Sequence, residues 1–197
     1  MRTISVTPEE MAARVVRYKE LTPRSQADAA ATGIPPEAAQ ALAADVNYTY
    51  MAPELPNDSM ITAYARIRGG DAGDAISVSM AICEPGNGPQ LHAHTHTVEA
   101  FFCLSSRFEI RWGDKGEECL LLEPYDFIHV PPGVVRTFVN VGDERGALLV
   151  IIQGDRHEFD DVSFTPEAGE MIARRFGEEV RRRMEASGRS FDAGLDG

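Results

Sequence analysis

The stretch Gly86-Asn87-Gly88-Pro89-Gln90-Leu91-His92-Ala93-His94-Thr95-His96-Thr97-Val98-Glu99 holds three of the chain's five histidines, spaced at alternate positions. In an extended chain, residues two apart point to the same side. His92 and His94 therefore share a face, and Glu99 arrives on the next strand after a turn. Two imidazoles and one carboxylate on one side of an ion leave its opposite positions open. That donor set suits Fe(II), and similar sets hold Mn, Ni or Zn. His96 follows the same alternation, but it falls where the chain turns and is expected to point outward. A polar loop that is rich in histidine by chance would rarely show this spacing.

Working outward, the flanking sequence is a series of short runs rich in Ile, Val, Phe and Tyr, separated by Gly, Asp, Asn and Pro. These runs predict strands near 60–68, 76–84, 89–94, 98–104, 107–112, 117–122, 127–131, 135–141 and 147–153. Many short strands at close spacing indicate an all-β sandwich or barrel. No long helix falls between them, so the sheets should be mainly antiparallel. From Arg107 to Trp112 the alternation is clean: Phe108, Ile110 and Trp112 form one face, and Arg107, Glu109 and Arg111 the other. Trp112 reads as core. If Glu99 points inward, so do Phe101 and Cys103.

Both flanks of the strand region change character. Residues 1–59 read as a helical and irregular arm. Thr7-Pro8-Glu9-Glu10 is a helix start with Thr at the cap and acids in the first turn. Met11, Val15 and Val16 recur at helical spacing and are expected to pack on something. A second short helix starts at Pro35-Pro36-Glu37 and runs through Ala44. Residues 60–155 form the strand domain. Residues 156–197 read as a C-terminal helix, opened by Thr165-Pro166-Glu167 and striped by Met171, Ile172, Phe176, Val180 and Met184, followed by a flexible, disordered tail from 187 onward. Arg181, Arg182 and Arg183 read as a solvated helix face.

The net charge is −12, and 43% of residues are hydrophobic. An acidic surface repels phosphate backbones, so nucleic acid is not an expected partner. No apolar run reaches the length of a membrane helix. Cys83, Cys103 and Cys119 are widely spaced, without a CxxC. They read as reduced thiols of a cytoplasmic protein, with Cys83 and Cys119 as small apolar fillers.

The residues from Gly86 to Glu99, taken with Pro131-Pro132-Gly133-Val134-Val135-Arg136-Thr137-Phe138-Val139-Asn140, resemble the two motifs of the cupin superfamily. The first motif runs Gly86, five residues, His92-Ala93-His94, four residues, Glu99, with Ser106 at the position of the closing glycine. The second matches from Pro131 to Asn140, with Tyr125 at the position of the opening glycine. The resemblance covers about residues 75–153. It implies a double-stranded β-helix, a jelly-roll barrel, with His92, His94 and Glu99 as metal ligands inside one end. The family's second-motif histidine, usually a ligand, is Arg136 here. Arginine stays protonated and offers no lone pair, so the matched positions give two histidines and one glutamate. His129 and His96 are candidates for a fourth ligand, with surface or supporting roles the better expectation.

The resemblance implies a metalloenzyme acting on a small, anionic organic molecule. Its chemistry would be of the dioxygenase type, with an isomerase, lyase or decarboxylase nearly as well supported. The ion would be iron first, with Mn, Ni or Zn as alternatives. In a second reading the barrel binds a small ligand without catalysis, and Arg136 pairs with Glu99 in place of the metal. In a third it serves only assembly. Arg136 accordingly has three expected positions: forked onto a substrate anion, paired with Glu99, or swung to solvent. Glu99 and Arg136 are the candidate catalytic residues. The resemblance also implies a homodimer, with the 1–59 arm helping to cover a sheet edge.

Overall fold

The computed structural model describes residues 5–24, 33–55, 64–68, 75–159 and 161–195. Two sheets face one another. The first holds six strands in the order β2-β1-β3-β10-β5-β8, where β1 is Val46–Ala52, β2 Ile67–Arg68, β3 Ala75–Cys83, β5 Val98–Ser105, β8 Phe127–Val130 and β10 Gly146–Gly154. The second holds five in the order β11-β4-β9-β6-β7, where β4 is His92–His94, β6 Phe108–Trp112, β7 Glu118–Leu122, β9 Arg136–Asn140 and β11 Val162–Phe164. Every pairing is antiparallel except β1 with β2. The mainly β, double-stranded β-helix expectation is met.

The predicted strands fall where the runs of branched and aromatic residues lie. Of the run at 60–68, only Ile67–Arg68 is a described strand, and 60–63 lie outside the described residues. Alternation fixes which side chains enter the barrel. Phe101, Cys103, Phe108, Ile110, Leu122, Phe138, Leu148 and Val150 are buried together as its apolar filling. Phe101 and Phe138 meet edge to face at 5.2 Å, a geometry that adds to simple area burial.

The flanks depart from expectation. The arm is not only helical and irregular, because β1 pairs antiparallel with β3 and extends the sheet. Its sequence Val46-Asn47-Tyr48-Thr49-Tyr50-Met51 is the branched and aromatic mix that strands favour. The first helix, α1 (Pro8–Ala12), has the expected capping box between Thr7 and Glu10, yet it buries nothing, with Met11 and Val15 exposed. The second, α2 (Pro36–Gln40), buries Ala38 and Ala39.

The C-terminal stripe is two helices, α3 (Pro166–Phe176) and α4 (Glu178–Ala186), rather than one. They are separated at Gly177, whose φ of 99° breaks the helix. Ile172 and Met184 are fully buried with Ile34, Ala38, Leu42, Phe164 and Phe191 in a second core outside the barrel. The expected disordered tail packs instead over its described part. Phe191 and Ala193 are buried, Ser190 bridges Ser163, and Asp192 accepts a hydrogen bond from the Ser163 hydroxyl at 2.6 Å. Arg181, Arg182 and Arg183 pair with glutamates along an exposed face, as expected.

Candidate metal centre

The loop before β4 is pinned to β9. Asn140 N–H donates to the Asn87 carbonyl at 3.0 Å, Gly86 N–H donates to the Asn140 carbonyl at 2.8 Å, and Thr137 Oγ1 donates to the Pro89 carbonyl at 2.6 Å. A Cβ on Gly88 would lie 1.8 Å from the Phe138 carbonyl oxygen, so only glycine lets the loop lie so close. The chain then enters β4, where His92 sits directly across from Arg136 on β9. Glu99 comes from the other sheet, on β5. The site therefore bridges the two sheets at one end of the barrel interior.

His92, His94, Glu99 and Arg136 are all buried. One ligand atom each from His92, His94 and Glu99 lies within 4.8 Å of the others. Both rings are oriented from behind. His92 Nδ1 lies 2.7 Å from the Gln90 carbonyl, which can only accept, so this nitrogen carries the proton. His94 Nδ1 lies 2.6 Å from Asp161 Oδ1. Each ring thus offers Nε2 to the site, the arrangement by which supporting acceptors orient metal-binding histidines.

Burial, with the Arg136 charge next, pushes the His92 pKa down to about 3, so the ring is neutral and keeps its lone pair. Burial also works against the Asp161 carboxylate. The His94 ring and the His96 and Thr97 N–H groups nonetheless hold its pKa down to about 2. Both Asp161 oxygens are engaged, since Thr97 Oγ1 adds a bond at 3.1 Å.

Arg136 is 1% exposed, which excludes the solvent-swung position. Its Nε and Nη2 both donate to Glu99 Oε2, at 3.1 and 2.6 Å, and Nη1 donates to the His92 carbonyl at 3.2 Å. Burial alone would raise the Glu99 carboxyl, but the guanidinium, with smaller help from His94 and His92, carries it below the usual range. The pair uses only Oε2. Oε1 faces His94 Nε2 at 4.0 Å, too long for a hydrogen bond. Lone-pair atoms of two rings and one carboxylate therefore converge without being one another's partners.

Bonds of about 2.0–2.2 Å to a small divalent ion put ligands at right angles about 3 Å apart. The three groups lie within 4.8 Å of one another, and two imidazoles with one carboxylate are a donor set that suits such an ion.

The remaining candidates are spread more widely. His96 is exposed, with Nδ1 3.7 Å from Glu158 at the surface. His129 is exposed on the edge strand β8, at the rim of a cavity. Cys103 is a fully buried filler whose thiol pKa burial raises. Cys83 is buried as expected, but Cys119 is exposed and not a filler. Trp112 is half-buried. It lines a cavity of about 220 Å³ with Ile110, Leu120, Ile128, Val130 and Val134, and Arg136 is part of the same wall. Asp161 was not anticipated. It lies 67 residues from the ring it holds, and no short motif carries it.

Residues 79–152 match the family described as the cupin domain. No curated protein matches the chain in sequence. Among solved structures, it is similar to a protein from Thermus thermophilus (21% identity, TM-score 0.38, covering 43% of this chain and 77% of that one). It is also similar to a conserved protein with a double-stranded β-helix domain from Klebsiella pneumoniae (21%, 0.39, 43% and 70%). A third is a Cupin 2 conserved barrel domain protein from Salinispora arenicola (19%, 0.36, 54% and 75%).

Proposed function

We propose, from the cupin domain matched over residues 79–152, that this chain is a metal-dependent cupin enzyme acting on a small anionic organic molecule by dioxygenase-type chemistry. His92 Nε2, His94 Nε2 and Glu99 Oε1 hold a divalent first-row ion, iron first, with Mn, Ni or Zn as alternatives. The observation that carries this reading is the convergence of those three atoms, with both imidazoles fixed through Nδ1 and the carboxylate fixed through Oε2. The ion supplies a Lewis-acidic, redox-capable centre with open positions for substrate. Asp161 and Gln90 hold the rings in the tautomer that ligation needs. Arg136 occupies one carboxylate oxygen, so Glu99 offers a single ligand atom.

The test is elemental analysis of protein purified without an affinity tag, followed by oxygen uptake with small carboxylates. We expect close to one equivalent of metal in the parent and in Arg136→Ala, and none in His92→Ala. Metal without oxygen uptake points to isomerase or lyase chemistry on the same site. A second reading is favoured by the buried 2.6 Å contact between Arg136 and Glu99: the guanidinium stands in place of the ion, and the barrel binds a ligand without catalysis. Metal found only in Arg136→Ala would support it.

The protein is also read as a homodimer. Phe127 on the edge strand β8 and Tyr125 beside it are 57% and 78% exposed, which suits a covered edge. Light scattering should give twice the 21.6 kDa chain mass.

A further inference from the structure

The cavity beside the metal centre has a composition that selects its ligand. It is lined by Ile110, Trp112, Leu120, Ile128, Val130 and Val134, together with Pro131, and among its described lining residues only His129 and Arg136 are ionisable. His129 is at the exposed rim, whereas Arg136 is at the buried inner end, bonded to Glu99 and to the His92 carbonyl. Those three bonds use three of the five guanidinium N–H groups. One on Nη1 and one on Nη2 remain for a further acceptor.

We propose that this cavity binds a small monocarboxylate with an apolar, ring-sized body, carboxylate inward toward Arg136 and apolar body against Trp112. The inference rests on the metal-centre reading for part of its charge balance. Arg136 and Glu99 cancel as a pair, so a bound divalent ion makes the inner end cationic.

The walls exclude the other common classes. A sugar or polyol would bury hydroxyls against Ile, Leu and Val with nothing to bond, at a cost for each. A dicarboxylate would leave its second charge among the same side chains. Size points the same way: an apolar cavity of about 150 Å³ takes benzene, so one of 220 Å³ takes about nine non-hydrogen atoms. Recognition divides accordingly, with the walls reading shape and the guanidinium reading the anion.

Trp112 is the chain's single tryptophan and a wall of the cavity, so its fluorescence reports occupancy. The experiment titrates Fe(II)- or Mn(II)-treated protein under anaerobic conditions with benzoate, benzyl alcohol and gluconate, with metal content measured on the same sample. We expect benzoate to shift the Trp112 emission and to bind at least ten-fold more tightly than benzyl alcohol, and gluconate to leave it unchanged.

Arg136→Gln should bring the benzoate-to-benzyl-alcohol ratio near one. Should that variant fail to fold, Val134→Phe, which narrows the cavity and keeps Arg136 and Glu99 in place in the sequence, should weaken both aromatic ligands at least ten-fold at unchanged metal content. Equal affinities for benzoate and benzyl alcohol, or a response to gluconate, would overturn the inference whatever the metal content. Protein that takes up no metal yet still prefers benzoate would remove the metal reading and leave Arg136 as the anchor. Metal-loaded protein with no preference would do the reverse.

Discussion

The two ends of the barrel interior are built from the same strands and do opposite work. Along β5 the inward residues are Glu99, then Phe101 and Cys103. Along β9 they are Arg136, then Phe138 and Asn140. One step of two residues takes the interior from charge to aromatic packing. The apolar end places rings in contact and fills space, which is where the hydrophobic effect stabilises a barrel. The polar end buries four ionisable side chains, and removing charge from water costs several kcal/mol per ion before pairing recovers it. Such a buried group therefore adds little net stability to the interior. Even Asn140 at the apolar end is tied off, with its amide bonded to the Cys83 and Glu144 carbonyls and its Oδ1 accepting from Gly142 and Ser106.

That contrast breaks most sharply by substitution at matching depths. Phe101→Ala should cost about 3–5 kcal/mol by chemical denaturation, as expected for truncating a buried ring, and should leave metal content unchanged in protein that still folds. Glu99→Leu combined with Arg136→Met should do the reverse. Replacing a buried ion pair by apolar side chains is neutral or stabilising by about 1–4 kcal/mol, while metal binding is lost. A double variant as destabilised as Phe101→Ala would show that the polar end also carries the fold.

Acid should likewise act at one end. His92 is held neutral with a pKa of about 3, against an ordinary 6.5. Below 6.5 the unfolded chain takes up a proton that the native ring refuses, so stability is complete above 6.5 and declines as pH falls toward 3. Asp161 adds a loss below 3.8, as pH approaches its value of about 2. Chelator-treated protein should therefore lose stability on the order of a few kcal/mol between pH 6.5 and 3. His92→Gln should flatten the upper part of that curve. An unchanged slope would mean that His92 is protonated in the native protein.

A smaller effect sharpens the role of Asp161. Asp161→Asn keeps the shape but weakens the acceptor behind His94, and loss of such a partner lowers metal affinity about 10–100-fold. The barrel should stay folded, and a metal titration reads the change. The smallest effect lies at the turns. Tyr125 and Ser106 stand where the family motifs carry glycine, and both keep a left-handed backbone, with φ of 77° and 64°. Tyr125 is largely exposed, so Tyr125→Gly should raise stability by about 1 kcal/mol by removing that strain.

These turns show how far the sequence could be read. The motif spacing placed Ser106 and Tyr125 at glycine positions, and the backbone there is still glycine-like. Strands β3 to β10 were legible because alternation and turn residues are local signals. So was the inward direction of Glu99, Phe101 and Cys103. Strand β1 was hidden by its setting: it follows an Ala-rich, Pro-started segment that reads as a helical arm. Strand β11 has only three residues, too few for any period. Gly177 splits a stripe that runs on in register, so the break depends on one backbone angle. The tail is held by Phe191 and Ala193 and by contacts of Ser190 and Asp192 with Ser163, which are scattered positions with no period to read. The motif spacing put position 136 near Glu99 and offered their pairing as one of three positions, but the choice among the three rests on a contact between sheets that spacing does not encode. Asp161 was invisible for the same reason.

The most direct measurement is anomalous scattering at the metal edge from crystals grown with Fe(II) or Mn(II). A peak within about 2.0–2.2 Å of His92 Nε2, His94 Nε2 and Glu99 Oε1, with Arg136 still on Glu99 Oε2, is the expected result. A peak elsewhere, or none while Arg136 fills the space between the histidines and Glu99, would contradict a metal centre built from these three residues.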